Sequence, residues 1–255
     1  MKYRAYIVAL VLILAVCTIA FFSIYTEVKR QTLHDLNTRQ IIHARQAARG
    51  IQDHFVYLVK SLTVLSWHES IIRLDPQGKK SMAAYLASVP EEIKGFTRVD
   101  RRGRILYTTP FNQKAIGTDI AGQEHIREIL QTHQAVISDV FQAVQGFQAI
   151  DIHVPVFREG RFDGTIGLLV SIDHVANQYV REIRIGKQGY AWMITQKGIE
   201  ISCPVPGHVG HSVFETCKDF PEIISMAKEM MKGKEGVTTY PFDKIRGRHV
   251  EKVTK

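Results

Sequence analysis

The sequence of 255 residues has few of the features that mark an enzyme or a disulfide-rich scaffold. Its three cysteines include Cys17 in an apolar N-terminal segment, which excludes a framework of several disulfides and a four-cysteine zinc site. The sequence contains no glycine-rich phosphate loop, no GxSxG nucleophile motif and no HExxH motif. We therefore expect no catalytic residues, no metal and no cofactor in these residues.

The basic residues are not arranged for nucleic-acid binding, although the formal net charge is +8. They occur in separated pairs, such as Arg101 with Arg102 and Arg246 with Arg248, and no predicted helix collects them on one face. A nucleic-acid site needs a continuous basic patch. The sequence therefore predicts a solvated basic surface and no nucleic-acid partner.

A long uncharged segment lies near the N-terminus, between Ala5 and Tyr25. At about 1.5 Å per helical residue, such a segment spans roughly the 30 Å of a bilayer core. A cleaved signal peptide is the alternative, but its apolar core is usually only about 7–15 residues long. The longer segment here, which ends in aromatic residues, favours an uncleaved transmembrane helix over residues 5–25.

Residues 26–68 are predicted to form one long helix after the membrane segment. Apolar residues recur there at alternating spacings of three and four, which is typical of a helix with one packed seam. Two uses of the seam remain open: it pairs with a second copy in a homodimer, or it packs on the chain's own domain. The seam consists of Ile41, Ala44, Ala48, Ile51, Phe55, Leu58, Leu62 and Leu65.

Two stretches of the chain share one pattern. VDRRGRILYTTP begins at Val99 and ITQKGIEISCPV begins at Ile194; each has an apolar residue, three polar residues, a glycine and a short strand that ends near proline. Each is followed by a glycine-containing segment, IGTDI or VGHSV, and then by a helix and a strand. The separation stays at roughly 95–100 residues, which indicates two tandem copies of one fold.

The pattern also predicts the elements inside each copy. Helices are expected over Glu124–Thr132 and Pro221–Met231, and strands over 135–141 and 236–240. Before the first copy, residues 74–78 (LDPQG) predict a turn, and a short amphipathic helix is expected over 81–89. In the first copy, alternation over 147–156 and a return strand over 162–172 predict a hairpin. A connecting helix is expected over 174–184. Each copy is thus an antiparallel sheet with helices on its faces, an α+β arrangement.

The order of these segments resembles the double Cache domain, the paired PAS-like extracytoplasmic sensor of bacterial transmembrane receptors, and most closely that of sensor histidine kinases. The resemblance covers roughly residues 33–240 and includes IDIHVPVFREGRFDGTIGLLVSID and GKQGYAWMITQKGIEI. It implies a membrane-distal, ligand-binding unit over 69–173 and a membrane-proximal, signal-relaying unit over 185–255. It also implies that residues 1–4 are cytoplasmic.

The second unit is expected to be shorter than the first. The family pattern calls for a final hairpin and a second transmembrane helix after the second copy of the repeat, and residues up to Lys255 do not reach them. We therefore expect the second unit to be incomplete and the chain to be part of a longer receptor.

Eight polar and aromatic residues are candidates for ligand binding. Asp151 and His153 lie two apart on one face of a predicted strand; they either line a pocket or form a solvent-facing surface. Many amino-acid-binding Cache domains carry an Arg-x-Trp-Tyr signature, which this sequence lacks, so an organic acid or another small metabolite is the expected ligand. The remaining candidates are Tyr107, His125, Arg127, Ser138, Asp139 and Phe147.

Cys203 and Cys217 are the cysteines outside the membrane segment. In an oxidising compartment they form either a disulfide or two separate thiols. His208 and His211 lie between them, but this spacing matches no usual zinc module. The disulfide is therefore a candidate and a metal site is not expected.

These inferences together predict the sensing region of an inner-membrane receptor, homodimeric through the long helix. The expected whole protein is a two-component sensor histidine kinase, although residues 1–255 themselves have no predicted enzyme activity. A methyl-accepting chemoreceptor, a diguanylate cyclase and a stand-alone membrane-anchored binding protein are the alternatives.

Overall fold

The computed structural model describes residues 2–89, 91–142, 147–185, 189–238, 241–246 and 249–254. The chain divides into two compact units, Met1–Gln46 and Ala47–Lys255. The second unit holds the sheets and the candidate site.

Helix α1 covers Lys2–Ser66. No proline occurs before Pro76 and the first glycine is Gly50, so nothing interrupts the helical hydrogen bonds. Among the described residues, one helix is long and apolar enough to cross a membrane, by length and composition; its most apolar window has a mean hydropathy of 3.0. That window agrees with the apolar segment from which the membrane helix was predicted.

A six-stranded antiparallel sheet forms the centre of the second unit. The strands are β1 (Ile93–Val99), β2 (Ile105–Thr109), β3 (Val136–Ile137), β4 (Phe141–Gln142), β5 (Gln148–Arg158) and β6 (Arg161–Ser171). The strand order is β2-β1-β6-β5-β3, with β4 also paired to β5. Strands β5 and β6 are the longest and make a hairpin whose turn residues, Glu159 and Gly160, have φ values of 53° and 76°. Two residues with positive φ suit a tight turn that follows the twist of the strands.

One face of this sheet packs against the end of α1. Leu58 and Leu62 are almost fully buried and belong to the same apolar core as Ile152 of β5 and Leu168 of β6. Since side chains alternate along a strand, residues 150, 152, 154 and 156 all point to this face. The prediction that the seam packs on the domain is thus confirmed for the part from Phe55 onwards.

The segment expected as a turn around residue 75 instead begins a helix. Helix α2 (Glu69–Arg73) ends at Leu74, and α3 (Pro76–Ser88) follows at once. The Asp75 carboxylate accepts a 2.8 Å hydrogen bond from the Gly78 N–H, and proline stands in the first turn. An aspartate cap and an N-terminal proline both favour a helix start, so the helix predicted from residue 81 begins five residues earlier.

The later helices lie where the sequence pattern predicts helices, but one of them is shorter than predicted and continues as a π-helical turn. Two of them have the predicted bounds: α4 (Glu124–Thr132) and α7 (Pro221–Met231). The expected connecting helix over 174–184 is instead α5 (Ile172–Ala176), followed by a π-helical turn over Asn177–Arg181. A short helix, α6 (Val213–Thr216), precedes α7.

The strand expected over 135–141 is interrupted. It divides into β3 and β4 because side chains of the intervening residues bond to the backbone. Ser138 Oγ donates to the Asp139 carbonyl at 2.7 Å, and the Asp139 carboxylate accepts from the Val140 N–H at 2.9 Å. Such local bonds compete with the strand ladder, and they shape the wall of the candidate site.

Among the described residues after β6, the strands form three two-stranded ladders. The strand expected over 236–240 is not present at 236–238, and residues 239–240 lie outside the described residues. A strand begins instead at Pro241. The ladders pair β7 (Arg184–Ile185) with β8 (Gly189–Tyr190), β9 (Met193–Ile194) with β10 (Glu200–Ser202), and β11 (Pro241–Arg246) with β12 (His249–Thr254).

The internal repeat is visible in matching backbone hydrogen bonds. Gly103 and Gly198 have φ values of +84° and +80°. Ile120 donates its N–H to the Gly103 carbonyl at 2.8 Å, and Val213 makes the same bond to Gly198 at 2.9 Å. Both copies therefore fold the polar turn and the following glycine segment in the same way. The exact domain boundaries remain a prediction.

Candidate functional site

A cavity of about 610 Å³ opens on the sheet face opposite to α1. Its walls come from the N-terminal part of α4, from residues 137–141 between β3 and β4, and from the turn that carries Gln196 and Lys197. A second opening of about 510 Å³ lies between α1 and β3 and is lined mainly by apolar side chains. The first cavity has the convergent polar groups that a small-molecule site requires.

Two polar residues of β5 lie beneath this cavity. Asp151 and His153 alternate with the core-facing isoleucine and valine residues, so they point to the cavity side of the sheet. His153 Nε2 lies 3.1 Å from Asp151 Oδ2. His125 of α4 brings its Nε2 to 3.5 Å from the same oxygen. Residues from one helix and one strand thus converge on a single carboxylate oxygen.

The neighbouring strand β6 makes space for His153 and orients its ring. His153 pairs with Gly167 in the β5–β6 ladder, and a Cβ on Gly167 would lie 2.4 Å from His153 Nε2. Glycine therefore lets the imidazole lie over the strand. The other ring nitrogen, Nδ1, is 2.8 Å from Thr165 Oγ1, which directs Nε2 towards Asp151.

The electrostatics of the Asp151 carboxyl favour its ionised form. Burial by itself raises its pKa, but the adjacent His153, with His125 beside it, outweighs that effect and lowers the pKa to about 2. Asp151 therefore carries a negative charge at neutral pH. Its backbone is also held in place, since its N–H donates to Ser138 Oγ at 2.8 Å.

The cavity lining is acidic, unlike the chain as a whole. Glu124, Glu128 and Asp139 supply three carboxylates, and Lys197 is the cation among the described lining residues. Lys197 Nζ lies 3.2 Å from both Glu124 Oε2 and Asp139 Oδ2. These partners hold the pKa of Lys197 above its usual value. Since the lysine is exposed, the ion pairs contribute little stability, and they can open when a ligand enters.

Five of the eight sequence candidates lie at or beneath the cavity. His125, Ser138 and Asp139 line it, and Asp151 and His153 lie underneath.

The other three candidates lie elsewhere. Tyr107 packs against the core on the α1 side, with Lys79 Nζ 5.4 Å from its ring centroid. Arg127 is exposed and donates to the Gly122 carbonyl at 2.8 Å. Phe147 is half-buried and is not among the described residues that line the cavity.

Sequence reasoning missed several residues of the site. Phe141 stacks on His125 with ring centroids 6.0 Å apart. Gly167 was detectable in principle, because a glycine inside a predicted strand often marks a close approach by another group. Lys197 had no detectable signal, because it belongs to the second copy of the repeat.

A second polar cluster surrounds Glu200, whose side chain is fully buried. Its carboxylate accepts hydrogen bonds from Trp192 Nε1 at 2.7 Å and from Thr216 Oγ1, and His208 Nδ1 lies 3.1 Å away. Every donor comes from the second copy of the repeat. The cluster therefore holds that part of the chain together.

The two cysteines near this cluster are free thiols in the structure. Burial raises the pKa of Cys203 to about 12 and also raises the pKa of Cys217. A disulfide between them stays a prediction, which alkylation with and without reductant tests.

Gly167→Ala is expected to disturb the site selectively. The new methyl group would displace the buried His153 ring, and we expect a loss of about 1–3 kcal/mol of stability, as for other overpacked cores. Gly95→Ala is the matched control, because its Cβ would lie at an ordinary 3.5 Å from Leu169 Cβ. Thermal unfolding of both variants measures the difference. Equal melting temperatures would contradict the predicted contact.

The central part of the chain matches one family model. Residues 65–171, from the end of α1 to the end of β6, match the model described as "HK/GC/Chemotaxis protein-like, sensor domain". This segment is similar to the sensor domains of that family. The matched segment contains β1–β6, α4 and all residues of the His125–Asp151–His153 group. Gln196 and Lys197, which complete the cavity wall, lie outside it.

Solved structures show the same fold. An extracellular ligand-binding receptor from Desulfohalobium retbaense is 19% identical over 82% of this chain, with a TM-score of 0.54. The ligand-binding domain of the Pseudomonas fluorescens chemoreceptor CtaA, solved with L-serine, is 17% identical over 67% of this chain and 73% of that one, with a TM-score of 0.53. A domain assigned to a sensory box/GGDEF family protein from Vibrio parahaemolyticus is 11% identical over 83% and 91%, with a TM-score of 0.62.

These structural similarities concern the fold. The chain spans 39% of the length of the Desulfohalobium receptor. No curated protein matches the sequence at a significant level. The predicted α+β, PAS-like Cache fold is thus confirmed, as is the assignment to the sensor domains of signalling receptors.

Proposed function

We propose that this chain is the extracytoplasmic, small-ligand-sensing region of a bacterial transmembrane receptor, and that the whole protein is a two-component sensor histidine kinase. The observation that carries the proposal is the acidic cavity over the sheet, with His125, Ser138 and Asp139 in its wall and Asp151 beneath it. As the sequence motifs predict, we expect these residues to bind a ligand rather than to catalyse a reaction.

The location of the cavity supports a signalling role. The cavity lies on one face of the sheet, and the core that includes Leu58 and Leu62 of α1 lies on the other. β5 carries Asp151 on the first face and Ile152 on the second. A ligand that shifts β5 would therefore also shift the packing of α1. We propose that this shift passes along α1 to the inner membrane, in which residues 5–25 are anchored.

The charge of the cavity defines the expected ligand. Carboxylates of Glu124, Glu128 and Asp139 repel anions, so the lining does not favour the organic acid expected from the sequence. A small polar molecule with a positively charged group would replace Lys197 between Glu124 and Asp139. The charged group of such a ligand would pair with the two carboxylates in place of Lys197. The ion pairs of Lys197, which now close the cavity, would then be broken.

Dimerisation through the long helix is also part of the proposal. The seam residues from Phe55 onwards pack on the domain, which leaves the earlier part, around Ala44, for a second copy. Small residues in that part allow two helices to approach closely. A cysteine introduced at Ala44 is expected to crosslink two chains in membranes.

The output of the whole protein has two further candidates. The family model includes chemotaxis and cyclase receptors, so a chemoreceptor or a diguanylate cyclase would use the same sensor domain. A stand-alone membrane-anchored binding protein would need the cavity but no helix movement. Phosphorylation of the full-length protein from ATP in membranes separates the kinase from these alternatives.

Ligand-dependent stabilisation tests the sensor proposal. The full chain in detergent micelles is screened by thermal unfolding against amines, amino acids and organic acids. A ligand at a hundredfold excess over Kd adds about 2.7 kcal/mol, which raises the melting temperature by about 5–10 °C for a domain of this size. We expect positively charged or zwitterionic compounds to give such a shift and dicarboxylates to give none.

Two phenylalanines provide the variant and its control. Phe141 lines the cavity, and Phe141→Ala is expected to reduce the ligand-induced shift severely. Phe157 is 45% exposed and lies at the far end of β5, so Phe157→Ala should keep the shift. The proposal is wrong if no compound stabilises the chain, or if the shift is the same in both variants.

A further inference from the structure

Three potential metal ligands converge beneath the cavity. One nitrogen each from His125 and His153 and one oxygen from Asp151 all lie within 4.8 Å of one another. A tetrahedral ion at about 2.0–2.1 Å from its ligands separates them by roughly 3.3 Å. The two nitrogen-to-oxygen distances, 3.1 and 3.5 Å, lie on either side of that value. The two imidazole nitrogens lie within 4.8 Å of each other, and an ion bound to all three groups would bring them to the same separation.

One ring nitrogen of His125 is buried without a hydrogen bond to the described residues. Its Nε2 is buried and, within the described part of the chain, has no hydrogen-bond partner. Its side chain is 10% exposed, and the nearby Asp151 oxygen is too distant for a good hydrogen bond. A buried ring nitrogen without a partner is costly, whereas a metal ion would bind its lone pair.

His153 is held as a metal-binding histidine is usually held. Its side chain is 1% exposed, and Nδ1 faces the buried Thr165 hydroxyl at 2.8 Å. A histidine that binds a metal through one nitrogen almost always engages a polar group with the other. When Nδ1–H donates to Thr165 Oγ1, the Nε2 lone pair faces Asp151 and the space between the three residues.

The surrounding charge also favours a cation. Glu124, Glu128 and Asp139 lie in the wall of the adjacent cavity, and Lys197 is already bound to two of these carboxylates. Two imidazoles and one carboxylate are ligands that zinc and neighbouring transition metals prefer to magnesium or calcium.

We propose that His125, Asp151 and His153 bind a divalent transition-metal ion of the zinc class. Three protein ligands leave one coordination position for water or for a ligand in the cavity, as in other metal sites that bind exchangeable groups. The inference deepens the proposed function and rests on it, because the ion would be part of the sensing site. The sequence predicts no such site, since the three residues lie on two elements that only the fold brings together.

A second group, formed by Glu200, Cys203 and His208, is less suited to a metal ion. The Glu200 carboxylate already accepts hydrogen bonds from Trp192 and Thr216. This second group nevertheless provides a comparison within the same chain. Co²⁺ bound to the Cys203 thiolate would give a sulfur charge-transfer band, which a site made of nitrogen and oxygen ligands does not give.

Metal titration of the full chain tests the proposal. Protein in detergent micelles, free of affinity tags and stripped with EDTA, is titrated with Zn²⁺ and with Mg²⁺ by calorimetry. We expect one Zn²⁺ per chain and no heat from Mg²⁺. Titration with Co²⁺ should give d–d bands without a sulfur charge-transfer band, because the proposed ligands are nitrogen and oxygen.

Variants locate the site. His153→Ala and Asp151→Asn should abolish stoichiometric binding; Asp151→Asn is nearly isosteric and guards against misfolding of the alanine variant. Thr165→Val should weaken binding about 10-fold, as expected for loss of a group that orients a ligand. His68→Ala, at an exposed position, and His208→Ala are controls that should bind as the wild type does.

The results separate this inference from the sensor proposal. Absence of Zn²⁺ binding, unchanged binding in Asp151→Asn, or loss of binding in His208→Ala would overturn the metal site. If a small molecule still stabilises the chain and Phe141→Ala still prevents this, the sensor proposal holds without the metal. If Zn²⁺ binds and no small molecule does, the metal site stands and the sensor proposal for organic ligands fails.

Discussion

Leu62→Ala is expected to lower the free energy of unfolding by about 3 kcal/mol. Leu62 is fully buried in the core that joins α1 to β5 and β6. Removal of its isobutyl group loses apolar burial and leaves a cavity that the rigid sheet cannot fill. For a domain of this size, the loss corresponds to a melting temperature lower by about 6–12 °C.

The control lies two residues away on the same helix. Val64 is 52% exposed, so Val64→Ala changes little apolar burial and should melt within about 2 °C of the wild type. Thermal unfolding followed by circular dichroism measures both variants. Similar small shifts in the two would show that this face of α1 is not packed on the sheet, and the proposed transmission through α1 would lose its basis.

Glu200→Ala is expected to destabilise the second copy of the repeat by about 3 kcal/mol. The carboxylate, which is fully buried, accepts from Trp192 Nε1 and Thr216 Oγ1 and contacts His208 Nδ1. Alanine would remove the acceptor of the half-buried Trp192 side chain and the partner of His208, while Thr216 Oγ1 still reaches the Ser212 carbonyl at 3.2 Å. A donor left without an acceptor away from water costs about 1–3 kcal/mol. Glu200→Gln keeps the shape and one acceptor, so it should lose less.

Trp192 makes this effect directly measurable. The other tryptophan, Trp67, is 73% exposed, and Trp67→Phe leaves Trp192 as the sole tryptophan. In that background, Glu200→Ala should lower the fluorescence melting temperature by about 6–12 °C. Glu222→Ala, at an exposed position of α7, is the control. An equal melting temperature in Glu200→Ala and Glu222→Ala would refute the structural role of the Glu200 cluster.

The helices and strands were predicted well where the local sequence favoured a single structure. The bounds of α4 and α7 agree with the prediction, because each is a short amphipathic segment between turn residues. The strand over 135–141 was predicted too long, because Ser138 and Asp139 bond to their own backbone. The start of α3 was predicted too late, because Asp75 and Pro76 suit a turn and a helix N-terminus equally well.

The candidate site was predicted in part. Alternation along β5 correctly grouped Asp151 and His153 on the face that lies beneath the cavity. The same alternation cannot tell which face a second strand presents, and Tyr107 of β2 proved to lie on the α1 side. Arg127 illustrates a different limit: polar residues on a helix point towards a site or towards solvent according to packing, which the sequence of the helix does not contain.

The sequence by itself determined the long apolar helix, the helical seam, the two copies of the repeat and the class of the sheet. Each of these depends on spacing along the chain, because helices and strands repeat with fixed periods and glycines mark the turns. Only the tertiary structure decided that His125 of α4 meets Asp151 and His153 of β5, and that Lys197 closes the cavity from the second copy. The physical reason is that such contacts depend on how separate elements pack against each other. The register of β5 in the sheet is set by its buried, core-facing side chains, and this register also decides where the side chains on the opposite face lie.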